Sequence, residues 1–435
     1  MKKAVAVFLA CLFAIFSAAC GANGGANPSG SPDAPVSQSP PPETDSPSGS
    51  SPDAPGGESA EPSPGGGDYG PFASAKASDG IGFFSPDFDY SVMPEYEIAF
   101  LSMTWSSQLE QLSNAFEQFA ERTNVKYTHW DSGNDVDAMM VNIETQASQG
   151  IDGCILGIFV TDCERAAEIA EDNDLFWMPG TDAPRDSQNK LLAPFVGFDN
   201  YNWGDSLIRR ADEWCVENFT DYEPSTSRVL ILTYSANVEF NDRQAGMEAG
   251  WAEMYPDLTD NLYVCDTASQ GNVSPDGAYD LVSTQMAAHP DVSSWIILSV
   301  FDWIAPGAQR AAEQYGVVDK TCLATTGGDQ YVQQLREGEA GCWRLSLFED
   351  FSTAANARFN GLYALIAGWA APDTLWSDFI QPGERCANLY LASAEVNPDN
   401  FRQILAYSDY FNGFSLYPEC QWDGKTTFPV VLGQQ

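Results

Sequence analysis

Residues 98–122, IAFLSMTWSSQLEQLSNAFEQFAER, read as a short buried strand, a polar loop and an amphipathic helix. The apolar run at 98–101 is too short for anything but a strand. After the loop, large apolar residues recur at helical spacing on one face: Leu109, Leu112, Phe116 and Phe119. In open parallel sheets, ligands bind outside the carboxyl ends of the strands. Thr104 and Trp105, in the loop that follows this strand, are therefore the first predicted ligand contacts.

The same alternation of apolar runs and amphipathic helices continues on both sides of a long helix predicted at 201–219. Further strands are predicted between 125 and 198, and a second series between 229 and 347. Strands interleaved with helices indicate parallel sheets with right-handed crossovers. The sequence therefore predicts an α/β fold with two lobes in tandem. The aromatic-rich segment 406–435 receives no assignment.

The N-terminus carries export features. Lys2 and Lys3 precede an apolar run at 4–16, and the small residues 17–19 precede Cys20. This resembles a bacterial lipoprotein signal at 1–19, with Cys20 as the lipid attachment site; an ordinary cleaved signal is the alternative. Residues 20–80, rich in Pro, Ser and Gly, are predicted to be a disordered tether. We expect an extracytoplasmic protein anchored to the bacterial cell membrane through its lipid alone.

The charge balance is strongly acidic, with 61 Asp plus Glu against 20 Lys plus Arg. Such a chain repels phosphate backbones and anionic membrane surfaces, so no nucleic-acid partner is expected. A neutral or cationic ligand is favoured over an anionic one. A solvated surface or a salty habitat explains the acidity equally well.

Eight cysteines follow Cys20, an even number that favours disulfides in an exported protein. Sequence order suggests four local bridges: Cys154–Cys163, Cys215–Cys265, Cys322–Cys342 and Cys386–Cys420. No metal site and no cofactor are predicted, because CxxC pairs are absent and the two histidines, His129 and His289, are isolated.

Catalytic motifs are missing from the sequence. It contains no G-x-S-x-G elbow, H-E-x-x-H pair or Walker loop, and no cysteine has an evident histidine partner. No catalytic residue is predicted, and a binding protein is favoured over an enzyme. Carboxylate pairs are common in so acidic a chain and are therefore uninformative. A glycosidase-like activity is the enzymatic alternative.

The pattern between residues 96 and 400 resembles the periplasmic sugar-binding proteins of the ribose- and galactose-binding kind, the substrate-binding subunits of ABC importers. It is also similar to the sensor domains of lactose-repressor-like regulators, but the export signal favours the binding protein. Seven segments carry the resemblance in order: 98–105, 149–153, 196–200 with Gly204, 241–246, 288–292, 326–329 and 396–400.

The resemblance implies a periplasmic binding protein type I fold, in which three crossovers join two Rossmann-like lobes. The chain should leave the first lobe at 199–201, return at 349–351 and cross again at 371–385. The first lobe would comprise 96–199 plus 350–372, and the second 200–349 plus 386–435. A monomer that passes a sugar or polyol to ABC permease and ATPase subunits is expected. The alternative is a ligand sensor that partners a receptor kinase or chemoreceptor.

The resemblance and the predicted strand ends together suggest a ligand site. Asp199 and Asp329 could instead cap helices, and Arg243 could equally brace its lobe. Aromatic rings would cover the C–H faces of a sugar, while charged and amide groups would bind its hydroxyls. The predicted contacts are Thr104, Trp105, Phe159, Asp182, Asp199, Asn241, Arg243, Phe301, Asp302, Trp303, Asp329 and Glu349.

Overall fold

The computed structural model describes residues 84–85, 87–105, 107–158, 162–270, 273–338, 340–429 and 431–432. The predicted signal, Cys20, the tether and Phe159 lie outside these residues. No helix within the described ranges is both long and apolar enough to cross a membrane.

Strands and helices alternate through most of this region, as expected for an α/β fold. The strands are β1 (Tyr96–Ser102), β2 (Val125–Asp131), β3 (Gly153–Gly157), β4 (Phe176–Pro179), β5 (Phe195–Gly197), β6 (Arg228–Thr233), β7 (Leu262–Asp266), β8 (Trp295–Ser299), β9 (Thr321–Gly327), β10 (Trp343–Phe348), β11 (Asn388–Leu391), β12 (Ala394–Val396) and β13 (Val431–Leu432). The helices are α1 (Ser107–Arg122), α2 (Val136–Gln149), α3 (Cys163–Asp172), α4 (Asn200–Asn218), α5 (Val238–Met254), α6 (Pro275–Ala288), α7 (Ala305–Gln314), α8 (Asp329–Glu337), α9 (Phe351–Ile366) and α10 (Phe401–Asn412).

The first lobe is built on a parallel sheet with the order β2-β1-β3-β4. Tyr96 pairs with Val125, and Ile98 pairs with Gly153, so β1 lies at the centre. A smaller sheet, β13-β11-β5, lies beside β4. Helix α9 packs on α1 and on β3, β4 and β5, which joins the two sheets into one core. Strands covered on both faces read as continuous apolar runs, as β1 and β3 do.

The second lobe holds a six-stranded sheet in the order β12-β10-β9-β8-β6-β7. The strands from β6 to β10 pair in parallel, and β12 joins β10 antiparallel at one edge. Helix α4 packs across β8, β9 and β10, with α5 beside it. The two parallel sheets confirm the predicted α/β class with two lobes.

The chain passes between the lobes at three places. It crosses from β5 into α4, returns from β10 into α9 at 349–350, and crosses again at 392–393 between β11 and β12. The sequence predicted the third crossing at 371–385, which differs from this position. That segment instead covers α9, where the Trp376 ring lies so close to Gly361 that an added Cβ would come within 2.9 Å of it.

The predicted assignment of 386–435 to the second lobe also differs from the structure. Strand β11 pairs in parallel with β5, and β13 pairs antiparallel with β11, so both belong to the first lobe. Short strands flanked by loops carry no sequence signal for the sheet that they join. Strand β12 and α10 lie with the second lobe, as expected.

Two glycines of the quoted segments set the distance between α4 and α5. A Cβ on Gly204 would lie 1.9 Å from the carbonyl oxygen of Arg243, and one on Gly246 would lie 2.0 Å from that of Tyr201. Glycine permits this close backbone approach, which no other residue could. The segments 196–204 and 241–246 therefore form one packed unit, and this unit brings Arg243 to the first crossing.

No disulfide bond joins any two of the eight described cysteines, seven of which are buried. The four suggested bridges are therefore wrong in this structure. Cys215 and Cys322 pack in the core on one face of the second sheet, whereas Cys265 and Cys342 pack in the core on the other face. A sheet therefore separates Cys215 from Cys265 and Cys322 from Cys342, which proximity along the chain did not reveal.

Candidate functional site

A cavity of about 180 Å³ lies between the two lobes. The first lobe contributes residues of α1, the loop after β4, β5 and α9, and the second lobe contributes the start of α5 and the ends of β8 and β9. We call this cavity the interlobe cleft. Its lining is Gln108, Leu109, Leu112, Gly180, Thr181, Asp182, Phe195, Gly197, Phe198, Asn200, Asn237, Glu239, Phe240, Arg243, Phe301, Gly327, Glu349, Phe351 and Arg358.

Arg243 enters the cleft from the second lobe on α5 and is held on three sides. Its Nε donates to Asn200 Oδ1 over 2.7 Å, and its Nη1 donates to the Val300 carbonyl over 2.9 Å and to Thr326 Oγ1 over 3.0 Å. The guanidinium also lies over the Trp203 ring at 4.8 Å. These bonds engage Nε and Nη1. Arg243 therefore both braces its lobe and faces the cleft.

Arg358 faces the cleft from the first lobe. It is the one charged residue of α9, and its Nε and Nη2 donate to the Val196 carbonyl at 3.3 and 2.9 Å. Both guanidinium groups are buried, and burial lowers the pKa of each, opposed mainly by Glu349. Two preorganised cations, one from each lobe, thus line the same cavity.

Three carboxyl groups share the cleft with these arginines: Asp182, Glu239 and Glu349. Burial raises the pKa of Glu349 to about 7, against the opposing effect of Arg243 and Arg358. Burial also raises the pKa of Glu239, with the same two arginines opposing it. The lining is therefore nearly balanced in charge, and a neutral ligand with many hydroxyl groups matches it.

Aromatic rings cover part of the same cavity. Phe240 and Phe301 stack in parallel with centroids 4.7 Å apart and planes 5° apart. Phe195, Phe198 and Phe351 add apolar surface from the first lobe and the crossings. Flat apolar faces beside multidentate polar groups suit a ring that carries hydroxyls at its edge.

Four of the predicted contacts line the cleft: Asp182, Arg243, Phe301 and Glu349. Four others lie elsewhere. Asp199 caps α4, accepting from the Asn202 amide at 3.1 Å, and Asn241 is exposed and donates to the Ser235 carbonyl at 3.1 Å. Thr104 is half-buried and does not line the cleft, and the Trp105 indole lies on the His129 ring with centroids 3.9 Å apart. A strand end places a residue near the cleft edge without fixing where its side chain lies.

The remaining predictions involve the loops after β8 and β9. Asp302 is buried behind the cleft lining, and its Oδ2 accepts from the Gln330 amide at 2.6 Å. Trp303, next to it, is 46% exposed. Gly327 and Gly328 both have positive φ and turn the chain sharply before α8. This turn leaves Gly327 in the cleft and carries Asp329 to a different pocket, while Gly328 caps α8 in place of Asp329. Phe159 lies outside the described residues.

Several lining residues were not predicted, above all Asn200, Glu239 and Arg358. Arg358 had a usable signal, because a lone charge inside an apolar helix is rarely buried without a purpose. Asn200 lies in the segment 196–200, directly after Asp199, which was the predicted ligand contact. Glu239 lies between two apolar residues and had no comparable signal.

The described residues contain no group of three or more His, Cys, Asp or Glu side chains placed to hold a metal ion. The cleft carboxyls are instead set among guanidinium groups and aromatic rings. Such a site can hold a polar organic molecule through charge-assisted hydrogen bonds.

Comparison with solved structures shows the same fold in bacterial solute-binding proteins. An ABC transporter periplasmic solute-binding protein from Actinobacillus succinogenes matches with a TM-score of 0.55 and 16% identity, over 71% of this chain and 99% of that chain. The arabinose-binding protein AraP from Geobacillus stearothermophilus matches with a TM-score of 0.54 and 16% identity, over 71% and 98%. An ABC transporter solute-binding protein from Bacillus halodurans matches with a TM-score of 0.52 and 13% identity, over 73% and 98%.

A search of curated protein sequences found no significant match. The family model for the periplasmic binding protein domain matches residues 98–368, more than half of the chain. That stretch begins in β1 and ends just after α9, so it contains most of the first lobe's parallel sheet, five of the six strands of the second lobe's sheet and the first two crossings. The chain therefore belongs to the periplasmic binding protein family.

Proposed function

We propose that this protein captures a small carbohydrate or polyol in the interlobe cleft, outside the cytoplasm, and delivers it to an ABC permease and its ATPase. The observation that carries the proposal is the pair Arg243 and Arg358. One comes from each lobe, both are buried, and they line a cavity of about 180 Å³ that they share with three carboxyl groups. A ligand that bonds to both lobes binds the closed form preferentially and so stabilises it.

The structural neighbours support this ligand class. The Actinobacillus succinogenes protein holds D-allose, the Bacillus halodurans protein holds myo-inositol, and a solute-binding protein from Mycobacterium smegmatis holds glycerol. All three ligands are neutral and polyhydroxylated. They match a cleft whose cations and carboxyls nearly balance.

The remaining parts of the proposal rest on the sequence. The apolar N-terminal run and Cys20 support export and lipid anchoring, and the Pro- and Ser-rich segment supports a tether between lipid and lobes. We infer that the chain binds its ligand without transforming it and acts as a monomer. No nucleic acid and no cofactor enter this function.

The test is a thermal-shift screen of the full chain with D-allose, D-arabinose, myo-inositol and glycerol, followed by calorimetry of any compound that raises the melting temperature. At 100 times its dissociation constant, a ligand adds about 2.7 kcal/mol to the free energy of unfolding. The same ligand should leave the Arg358→Met variant unshifted. If no sugar or polyol shifts the wild type, the carbohydrate assignment fails. Chemical turnover of a bound sugar would favour the glycosidase-like alternative.

Delivery is tested separately by uptake. Cells that lack the gene should lose high-affinity uptake of the identified ligand and regain it with the wild-type chain. Normal uptake combined with a lost behavioural or transcriptional response would favour the sensor.

A further inference from the structure

A second pocket, of about 310 Å³, lies at the second crossing and shares Glu349 and Phe351 with the interlobe cleft. We call it the hinge-side pocket. Its walls include Gln111 and Asn114 of α1, Asp329 and Gln333 of α8, Glu349 of the crossing, and Tyr417 of the C-terminal segment. It therefore has walls from both lobes and from the connection between them.

Asp329 is the least satisfied polar group in this pocket. Its carboxyl receives a side-chain hydrogen bond from Gln111, but its Oδ2 is buried and has no hydrogen-bond partner within the described part of the chain. A buried acceptor without a partner costs about 1–3 kcal/mol, and more if it is charged. A native structure retains such a group at this cost for a specific reason, and one such reason is a role in binding.

The surroundings of Asp329 indicate the charge of that ligand. Besides desolvation, its nearby carboxyl groups, Asp302, Glu349 and Asp350, raise its pKa. The cation on the wall, Arg336, is already paired with Glu419 at 2.7 Å. A donor that carries positive charge would therefore relieve both the missing hydrogen bond and the repulsion.

The rest of the wall suits a small organic cation better than a bare metal ion. The amide groups of Gln111, Asn114 and Gln333 offer further acceptors, and the rings of Tyr417 and Phe348 offer apolar and cation–π surface. No cluster with the ligand geometry of a metal site occurs among the described residues.

We propose that the hinge-side pocket is a second ligand site, which takes a small primary ammonium compound between α1 and α8 and so favours the closed arrangement of the lobes. The ammonium group would donate to Asp329, with the Gln111 and Asn114 side chains accepting from the other lobe. The two sites share Glu349 and Phe351, but none of the cleft's arginines lines the hinge-side pocket, so the two sites can be tested separately.

The test uses two probes that differ in one group, 4-amino-1-butanol and 1,4-butanediol, at matched ionic strength and neutral pH. Calorimetry on the full chain should detect the amine and not the diol. The Asp329→Asn variant should bind the amine at least tenfold more weakly, whereas Asp257→Asn, an exposed acid on the second lobe, should bind it like the wild type. Removing a buried charge from among other carboxyls should not unfold the protein, and melting curves check this.

A second readout tests closure. Small-angle scattering should show a smaller radius of gyration for the wild type with the amine, and no change for Asp329→Asn. Arg243→Lys, which disables the cleft, should still bind the amine, so failure of the sugar site and failure of this site are distinguishable. Equal binding of amine and diol, no binding of the amine, or undiminished binding by Asp329→Asn would overturn the proposal; an unchanged radius would overturn the closure it predicts.

Discussion

The Nε of Arg243 donates to Oδ1 of Asn200 over 2.7 Å, which ties α5 of the second lobe to the residue that opens α4 at the first crossing. This bond lies inside the interlobe cleft, next to the close contact of Gly204 and Gly246. The Arg243 side chain is thus held in the cleft by the same packing of α4 against α5 that holds the first crossing. Preorganisation of this kind reduces the entropy that binding must remove.

Arg243→Lys should weaken ligand binding while the protein stays folded. Lysine keeps the charge but cannot donate hydrogen bonds to Asn200, Val300 and Thr326 and also to a ligand, because it lacks the planar set of donors of the guanidinium group. Hydrogen bonds to charged groups contribute about 1.5–3 kcal/mol, so the dissociation constant should rise about ten- to a hundredfold. Calorimetry with the ligand found in the screen measures this.

The matched control is Arg310→Lys. Arg310 is an exposed arginine on α7, paired with Asp276 at 2.6 Å, and exposed pairs contribute at most about 1 kcal/mol to stability. Its affinity for the ligand should equal that of the wild type. If both variants bind like the wild type, Arg243 only braces the lobe.

Glu349 should make the ligand-free protein less stable as the pH rises. Burial raises the pKa of Glu349 to about 7 from its ordinary value of 4.5, so the folded protein holds this proton at pH values where the unfolded chain has lost it. Stability therefore falls between about pH 4.5 and 7 and is constant, with respect to this group, outside that window. The effect is at most about 3 kcal/mol.

Denaturant unfolding at several pH values, compared between the wild type and Glu349→Gln, measures this contribution. The glutamine variant should gain stability relative to the wild type as the pH rises through the window, and the difference should level off above pH 7. A difference that does not vary with pH would show that Glu349 titrates normally in the folded state.

Much of the fold was predictable because its signals are local. The apolar run of β1 and the stripe on α1 follow from periodicity, and repetition of the unit predicts two lobes. The third crossing was not predictable, because β11 is a short strand whose pairing with β5 depends on residues almost two hundred positions away. Long-range pairing of short strands leaves no mark on the local pattern.

The site was predicted less well than the fold, for a related reason. Strand ends identify the loops that border the cleft, and Asp182, Phe301 and Glu349 of its lining lie just after strands. The conformation of each loop decides which side chain enters the cleft. Gly327 and Gly328, both with positive φ, turn the chain so that Asp329 lies outside the cleft. Arg358 lies in the middle of α9, the helix that follows the second crossing. Strand ends give no information about residues in the middle of a helix.

Gly246→Ala should destabilise the protein, although alanine is the better helix former by about 1 kcal/mol. Its Cβ would meet the Tyr201 carbonyl oxygen at 2.0 Å, so α4 and α5 must separate. We expect a loss of about 2–4 kcal/mol in the free energy of unfolding, within the range for overpacked and cavity-altered cores. We also expect weaker ligand binding, because Arg243 moves with α5. A gain in stability would mean that the helices tolerate a wider spacing.

Phe414→Ala should loosen a contact between the C-terminal segment and the first lobe. Helix α10 packs its Phe401, Ile404 and Leu405 into the core of the second lobe. Just beyond its end, Phe414 lies against Phe119 of α1, with centroids 4.7 Å apart, beneath the Arg122 guanidinium at 4.9 Å. The stretch from α10 to Phe414 therefore contacts both lobes.

Truncating a buried phenylalanine costs about 3–5 kcal/mol, and the lower end applies here because the site lies at the edge of the core. The variant loses the contact by which the C-terminal residues after α10 hold the first lobe to the second. The ligand-free variant should therefore have a larger radius of gyration than the wild type, and ligand should restore the wild-type value. Phe176→Ala, which removes a ring that is 42% exposed on β4, is the matched control and should change neither quantity by a comparable amount. If Phe414→Ala lowers stability but leaves the radius unchanged, the segment contributes to the core of the first lobe and places no limit on how far the lobes open.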